Sequence, residues 1–160
     1  MVRFLVIIGL ITTSLTGYTQ HANRYCNSAF TFCLDVPGNF NRIGKSQAGD
    51  GQFFTSKDGS TLNIYGAFNT ENETIQQRLS REQATLSSDT TISNFTQIPT
   101  IGQAQIQENS YTFSYQNQTF TYLIFRKLED NNWLSIELKF PSKKSKDYEE
   151  KMQQMIKSFN

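Results

Sequence analysis

Few residues in this sequence are equipped for catalysis. Histidine, the usual general base and metal ligand near neutral pH, occurs once, at His21. Neither a Ser-His-Asp nor a Cys-His arrangement is therefore expected inside the fold, and a zinc site needing two histidines is not expected either. Cys26 and Cys33 are the only cysteines, and only His21 could join them as a metal ligand. No metal or cofactor is assigned. Carboxylates are the remaining route, because glycoside hydrolysis needs only two facing across a cleft. Asp35, Glu108 and Glu137 lie on strand-like runs where they alternate with apolar residues, so a solvated sheet surface accounts for them. Asp50 and Asp58 stand in turn contexts that favour Asp for local hydrogen bonding. Gly49-Asp50-Gly51 lacks the further glycines, lysine and helix of a phosphate loop. No catalytic residue is assigned.

Two features are left for binding. Lys143, Lys144 and Lys146 form the only basic cluster, at the start of a C-terminal helical stretch where the macrodipole disfavours cations. A solvated surface accounts for it, with contact to a ligand or partner as the alternative. Trp133 falls opposite the Leu134 face of its strand, where it either packs beneath a helix or stands exposed to a ligand. The other aromatics mostly share faces with Leu, Ile and Val and read as core. Fifteen basic and fourteen acidic residues give a formal net charge of +1, without an extended basic stripe. Neither nucleic acid nor an anionic membrane is an expected partner.

The elements that must position these residues are organised around Phe120 to Phe140. Phe120–Lys127 and Trp133–Phe140 read as two long strands joined by the polar turn Glu129-Asp130-Asn131-Asn132. Leu134, Ile136, Leu138 and Phe140 share one face, the period of a half-buried strand, whereas the first strand is apolar on both sides and reads as central. Upstream, Phe30–Val36 alternates as an opening strand, and Phe40 to Gly49 reads as a loop. Asp50–Ser56 and Thr61–Phe68 flank an Asp58-Gly59 hairpin turn. Thr70 and Glu73 stand in capping-box relation before a helix with Ile75, Leu79, Gln83 and Leu86 at helical spacing. Thr90 to Ile101 is left unassigned, with Ile92, Phe95 and Ile98 apolar and Pro99 arguing against a central strand. Gly102–Glu108 and Tyr111–Tyr115 read as shorter strands. Ser142 or Ser145 can cap a last helix with Tyr148, Met152, Met155, Ile156 and Phe159 on its apolar stripe.

That order implies an α+β fold: a mostly antiparallel sheet of about six to seven strands, flanked by two helices, in a single domain. Residues 1–19 have the charged start, short apolar run and small polar end of a secretory signal peptide. The apolar run, Phe4 to Ile11, is far shorter than the roughly 20 residues of a spanning helix, so no membrane anchor is expected. Residues 20–27 follow as an N-terminal segment, and 28–160 as the domain. In an oxidising compartment Cys26 and Cys33 are expected to close a disulfide, which requires a turn near Asn27-Ser28.

Phe30 to Pro37 ending in Val-Pro-Gly, Gly51 to Gly59 as Gly-Gln-Phe-Phe leading into Asp-Gly, Trp133 to Pro141, and the closing Met155-Ile156-Lys157-Ser158-Phe159 together resemble the PsbP-like group of small exported domains. The resemblance implies an α+β sandwich without a shared catalytic motif. Its photosynthetic members assist a membrane complex by binding it, and nothing in this sequence points to the same partner. The function expected is a secreted or periplasmic, non-enzymatic module that binds a protein or a small ligand, for instance as an immunity or inhibitor protein. The alternatives are an envelope polysaccharide hydrolase using a carboxylate pair, and a structural subunit of an envelope assembly.

Overall fold

The computed structural model describes residues 23–98 and 109–160. In chain order its elements are β1 (Asn23–Asn27), β2 (Phe32–Val36), β3 (Phe40–Lys45), β4 (Gly51–Ser56), β5 (Thr61–Phe68), α1 (Ile75–Ser87), β6 (Ile92–Ile98), β7 (Ser110–Asn117), β8 (Phe120–Glu129), β9 (Asn132–Pro141) and α2 (Ser145–Lys157). The architecture is α+β. β3 to β9 build one antiparallel sheet in the order β3-β4-β5-β9-β8-β7-β6, and β1 and β2 form a separate hairpin. Among the described residues no helix is long and apolar enough to cross a membrane. The expected signal segment and the Gly102–Glu108 strand lie outside the described residues.

Strand alternation decides which side of the sheet each residue serves. Leu134, Ile136, Leu138 and Phe140 of β9 join Leu123 and Phe125 of β8 on one face, beneath the β1-β2 hairpin and the Tyr148, Met152 and Met155 stripe of α2. Each such side chain taken from water stabilises the fold by about 1.5–3 kcal/mol. Trp133, Ile124, Tyr111 and Phe113 point to the opposite face, where Leu79 of α1 packs on them. Strand β9 is central and β8 lies beside it. They are joined by Asp130 and Asn131 at φ 48° and 60°, positive at both central positions as a type I′ hairpin requires. The connection from β5 through α1 to β6 runs from the third strand of the sheet to its far edge, so α1 must cross this second face.

Cys26 and Cys33 are directly opposite each other in the β1-β2 ladder and are bonded. Beyond α2 the chain returns to this hairpin: the Cys33 amide donates to the Asn160 carbonyl at 2.7 Å, and the Asn160 amide donates back at 3.0 Å.

Several boundaries differ from expectation. Phe40–Lys45 is a strand rather than a loop: it is the sheet edge, exposed after Phe40 and bulged between Arg42 and Gly44, so it shows no alternation. The opening strand starts at Phe32 because Thr31, at φ 51°, belongs to the hairpin turn, although Phe30 remains buried. The capping box of α1 uses Thr74 and Gln77, not Thr70 and Glu73. Asn69 instead holds both backbone groups of Glu73 and sets up the turn before the helix. Gln83 faces solvent, and the inner side of α1 carries Arg78 and Glu82 beside Leu79 and Leu86. Neither Ser142 nor Ser145 caps α2, which begins after a 3-10 turn with no side-chain cap. The Ser142 hydroxyl is bonded to Thr121 and that of Ser145 donates to the Ser142 carbonyl.

A candidate binding cleft between the first helix and the sheet

The second face of the sheet is built of cross-strand rows. At one level Tyr115, Tyr122, Lys139 and Thr61 stand side by side on β7, β8, β9 and β5; the next row is Phe113, Ile124, Glu137 and Asn63; the next is Tyr111, Arg126, Ser135 and Tyr65. A further row brings Leu128, Trp133 and Ala67 beneath α1. The helix seals the Trp133 end and leaves the Tyr122 end open. Between them is a cleft of about 460 Å³, bounded by Glu82, Thr85 and Leu86 of α1 and by the first two rows. This is the size range of small-ligand pockets.

An ionic cluster forms the floor. Arg126, on a strand otherwise largely apolar, is buried, and its Nε donates to Glu82 Oε1 at 3.1 Å while Nη2 donates to Glu137 Oε1 at 2.7 Å. The Tyr65 hydroxyl donates to the same Glu137 oxygen at 2.6 Å, and that of Tyr111 to Glu82 Oε2 at 2.8 Å. Burial alone would favour a neutral Arg126, but the neighbouring Tyr65, Glu82 and Glu137 more than reverse it, and the guanidinium stays charged. Burial, reinforced by Glu137 against Arg126, pushes the Tyr65 phenol up to about 12. Burial, with Tyr122 beside it, does the same for Tyr115, also to about 12. Burial and Glu82 raise Tyr111 further in the same direction. All three phenols are therefore neutral hydrogen-bond donors at ordinary pH.

At the open end the Tyr115 and Tyr122 rings stack at 4.7 Å with 4° between their planes. Lys139 Nζ lies 4.5 Å from the Phe120 ring centroid and 5.7 Å from that of Tyr122, within cation-π range.

The residues singled out from sequence fare unequally. Trp133 is 1% exposed, lies beneath α1, and has the Arg78 guanidinium 4.5 Å above its ring. The exposed-for-ligand alternative is overturned because α1 crosses over the Trp133 row. Lys144 is tied to Asp58 at 2.7 Å, and the same carboxylate oxygen accepts from the Tyr148 hydroxyl. Lys143 and Lys144 border an open depression with Asp58 and Pro141, whereas Lys146 is exposed outside its lining. That depression is at the Pro141 end of β9, and Trp133 is at the other. Asp35 pairs with Arg24 at 2.8 Å on the surface, and Glu108 lies outside the described residues. Glu137 is not merely a solvated sheet residue but an anchor of the cleft floor. Arg126 and Glu82 were missed. Their signal was an arginine amid apolar strand residues, and an Arg78-to-Glu82 helical spacing on the Leu79 side of α1.

The fold is an α+β sandwich of the type shared by PsbP and Mog1. No family model matches this chain, and no curated protein matches it. Among solved structures, it is similar to cyanobacterial PsbP (CyanoP) from Synechocystis sp. PCC 6803 at 12% identity and a TM-score of 0.64, over 94% of this chain and 98% of that one. It is also similar to the Saccharomyces cerevisiae Ran-binding protein Mog1p at 7% identity and a TM-score of 0.60, over 89% and 96% of the two chains. A mutant of Mog1 matches at 10% identity and a TM-score of 0.53, over 88% and 95%. At such identities the likeness establishes a common fold.

Proposed function

We propose that this protein is an exported, non-enzymatic binding module and that the cleft between α1 and the sheet is its binding site. The observation that carries the reading is a preformed concavity of about 460 Å³ whose open end is lined by half-buried aromatic rings and whose floor is already fixed by hydrogen bonds. Such a floor needs little reordering when a ligand enters, which lowers the cost of binding. The carboxylates support binding over hydrolysis. Glu82 has one oxygen on Arg126 and the other on Tyr111, and Glu137 accepts both Tyr65 and Arg126 through one oxygen. A glycosidase needs carboxyls free to reach the scissile bond, one as acid and one as base or nucleophile. Export is supported by the Cys26–Cys33 bond, since disulfides persist in oxidising compartments, and by the signal-like pattern of residues 1–19. The yeast neighbour Mog1p is a Ran-binding protein, so this fold can serve as a binding scaffold.

The test is a titration of isotope-labelled protein with a set of one- and two-ring fragments, followed by backbone amide shifts. The expected perturbations cluster on Thr61, Asn63, Thr85, Tyr115 and Tyr122. Perturbations confined to the Lys143-Lys144 depression, or none with any fragment, would overturn the reading.

A further inference from the structure

We propose that the cleft selects a small aromatic anion, its ring system lying against Tyr122 and Ile124 and its acid group meeting Lys139. This rests on the binding reading above and adds the ligand's chemical class. The first argument is the allocation of charge. Both carboxylates of the cleft are engaged internally, Glu82 by Arg126 and Tyr111 and Glu137 by Arg126 and Tyr65. Glu73 is likewise taken by a two-pronged contact with Arg81 at 2.7 Å. Lys139, by contrast, has no carboxylate at ion-pair distance among the described residues. Of the three cations lining the cleft, Arg81 is taken by Glu73 and Arg126 by Glu82 and Glu137, which leaves Lys139, where the cleft opens, as the lining cation without a carboxylate partner among the described residues.

Arg126 supplies an independent observation. The residue is nine-tenths buried and lines the cleft, yet its Nη1 has no acceptor among the described residues. Buried donors are almost always paired, so an unmatched guanidinium nitrogen shielded beneath the cleft leaves positive charge there without its full set of acceptors, which favours an anionic ligand over a cationic one. The third argument is shape. The Tyr115 and Tyr122 rings continue into Ile124, Phe113 and Leu86, an apolar wall suited to a flat ring system. Lys139 is directly across the ladder from Tyr122, so a ring on the tyrosine puts its acid substituent beside the ammonium. A ligand cation placed there would instead meet the like charge of Lys139.

The probes are 2-naphthoate and its neutral amide, 2-naphthamide, titrated by calorimetry into the full chain and into Lys139→Met and Tyr122→Ala variants whose folding is checked by circular dichroism. The acid is expected to bind about tenfold more tightly than the amide, a factor that corresponds to ~1.4 kcal/mol. Its affinity should weaken as salt rises. Lys139→Met should abolish that preference while leaving amide binding in place, and Tyr122→Ala should weaken both. Equal binding of acid and amide in the cleft would overturn the anion selection and leave the binding reading standing. Binding of the acid that survives Lys139→Met unchanged would also overturn the selection. Failure of both probes to bind at millimolar concentration would overturn it as well, and the fragment titration above then decides the wider reading.

Discussion

Arg126 shows how one buried residue can organise a site. Its guanidinium compensates Glu82 from the helix and Glu137 from the neighbouring strand, so removing it strands two carboxylates in a partly dry environment. Arg126→Met is expected to cost about 3–5 kcal/mol in chemical denaturation. Asp58 is the corresponding anchor on the other face. Burial would raise its pKa, but hydrogen bonds from Lys144, Tyr148 and Ser60 outweigh that and hold the carboxyl well below the usual carboxylate range. A group depressed by folding stabilises the fold fully above its unfolded pKa, about 4, and loses that contribution as the pH falls toward the folded value. Asp58→Asn should therefore cost about 1–2 kcal/mol at pH 7, and the gap from wild type should narrow between pH 4 and pH 2 in urea titrations. Gly66 makes a steric prediction: a Cβ there would run into the Phe30 ring, so Gly66→Ala should destabilise by about 1–3 kcal/mol. Phe30 was visible in the sequence as a core residue, but its contact with Gly66 was not. It depends on the turn that Thr31 makes at positive φ.

The legibility of the elements follows their burial. β8 and β9 could be read from the chain because one or both of their faces are packed, which writes a period into the residues. β3 could not, because an exposed, bulged edge strand has little apolar pattern to keep. The start of α1 was ambiguous because Thr70-Glu71-Asn72-Glu73-Thr74-Ile75-Gln76-Gln77 offers two consecutive capping boxes. Asn69 decides between them by fixing Glu73 in the preceding turn. Thr74→Ala should therefore cost about 1 kcal/mol in thermal unfolding, and Thr70→Ala should stay within about 0.5 kcal/mol of wild type. The cleft was least legible of all. Its rows join residues from four strands, and a one-strand reading of Tyr115, Tyr122 or Glu137 shows only an aromatic or acid alternating with core.

At the scale of the molecule, the sheet is covered unequally. The hairpin and α2 pack across one face as a continuous core, while α1 covers only part of the other, and the uncovered part is the cleft. The Cys26–Cys33 bond staples the hairpin that closes the first face and also receives Asn160 from the C-terminal end. Replacing both cysteines by alanine should lower stability by about 2.5 kcal/mol in the chain-entropy account of so short a loop, and should leave the cleft face intact. The separation of faces leaves stability to one side and, in the function we propose, recognition to the other. A crystallographic fragment screen tests that division most directly. That division predicts that bound rings settle on the Tyr115-Tyr122 row with the Arg126, Glu82 and Glu137 contacts unchanged beneath them. Fragments gathered instead in the Lys143-Lys144 depression or along the β3 edge, with the cleft empty throughout, would contradict it.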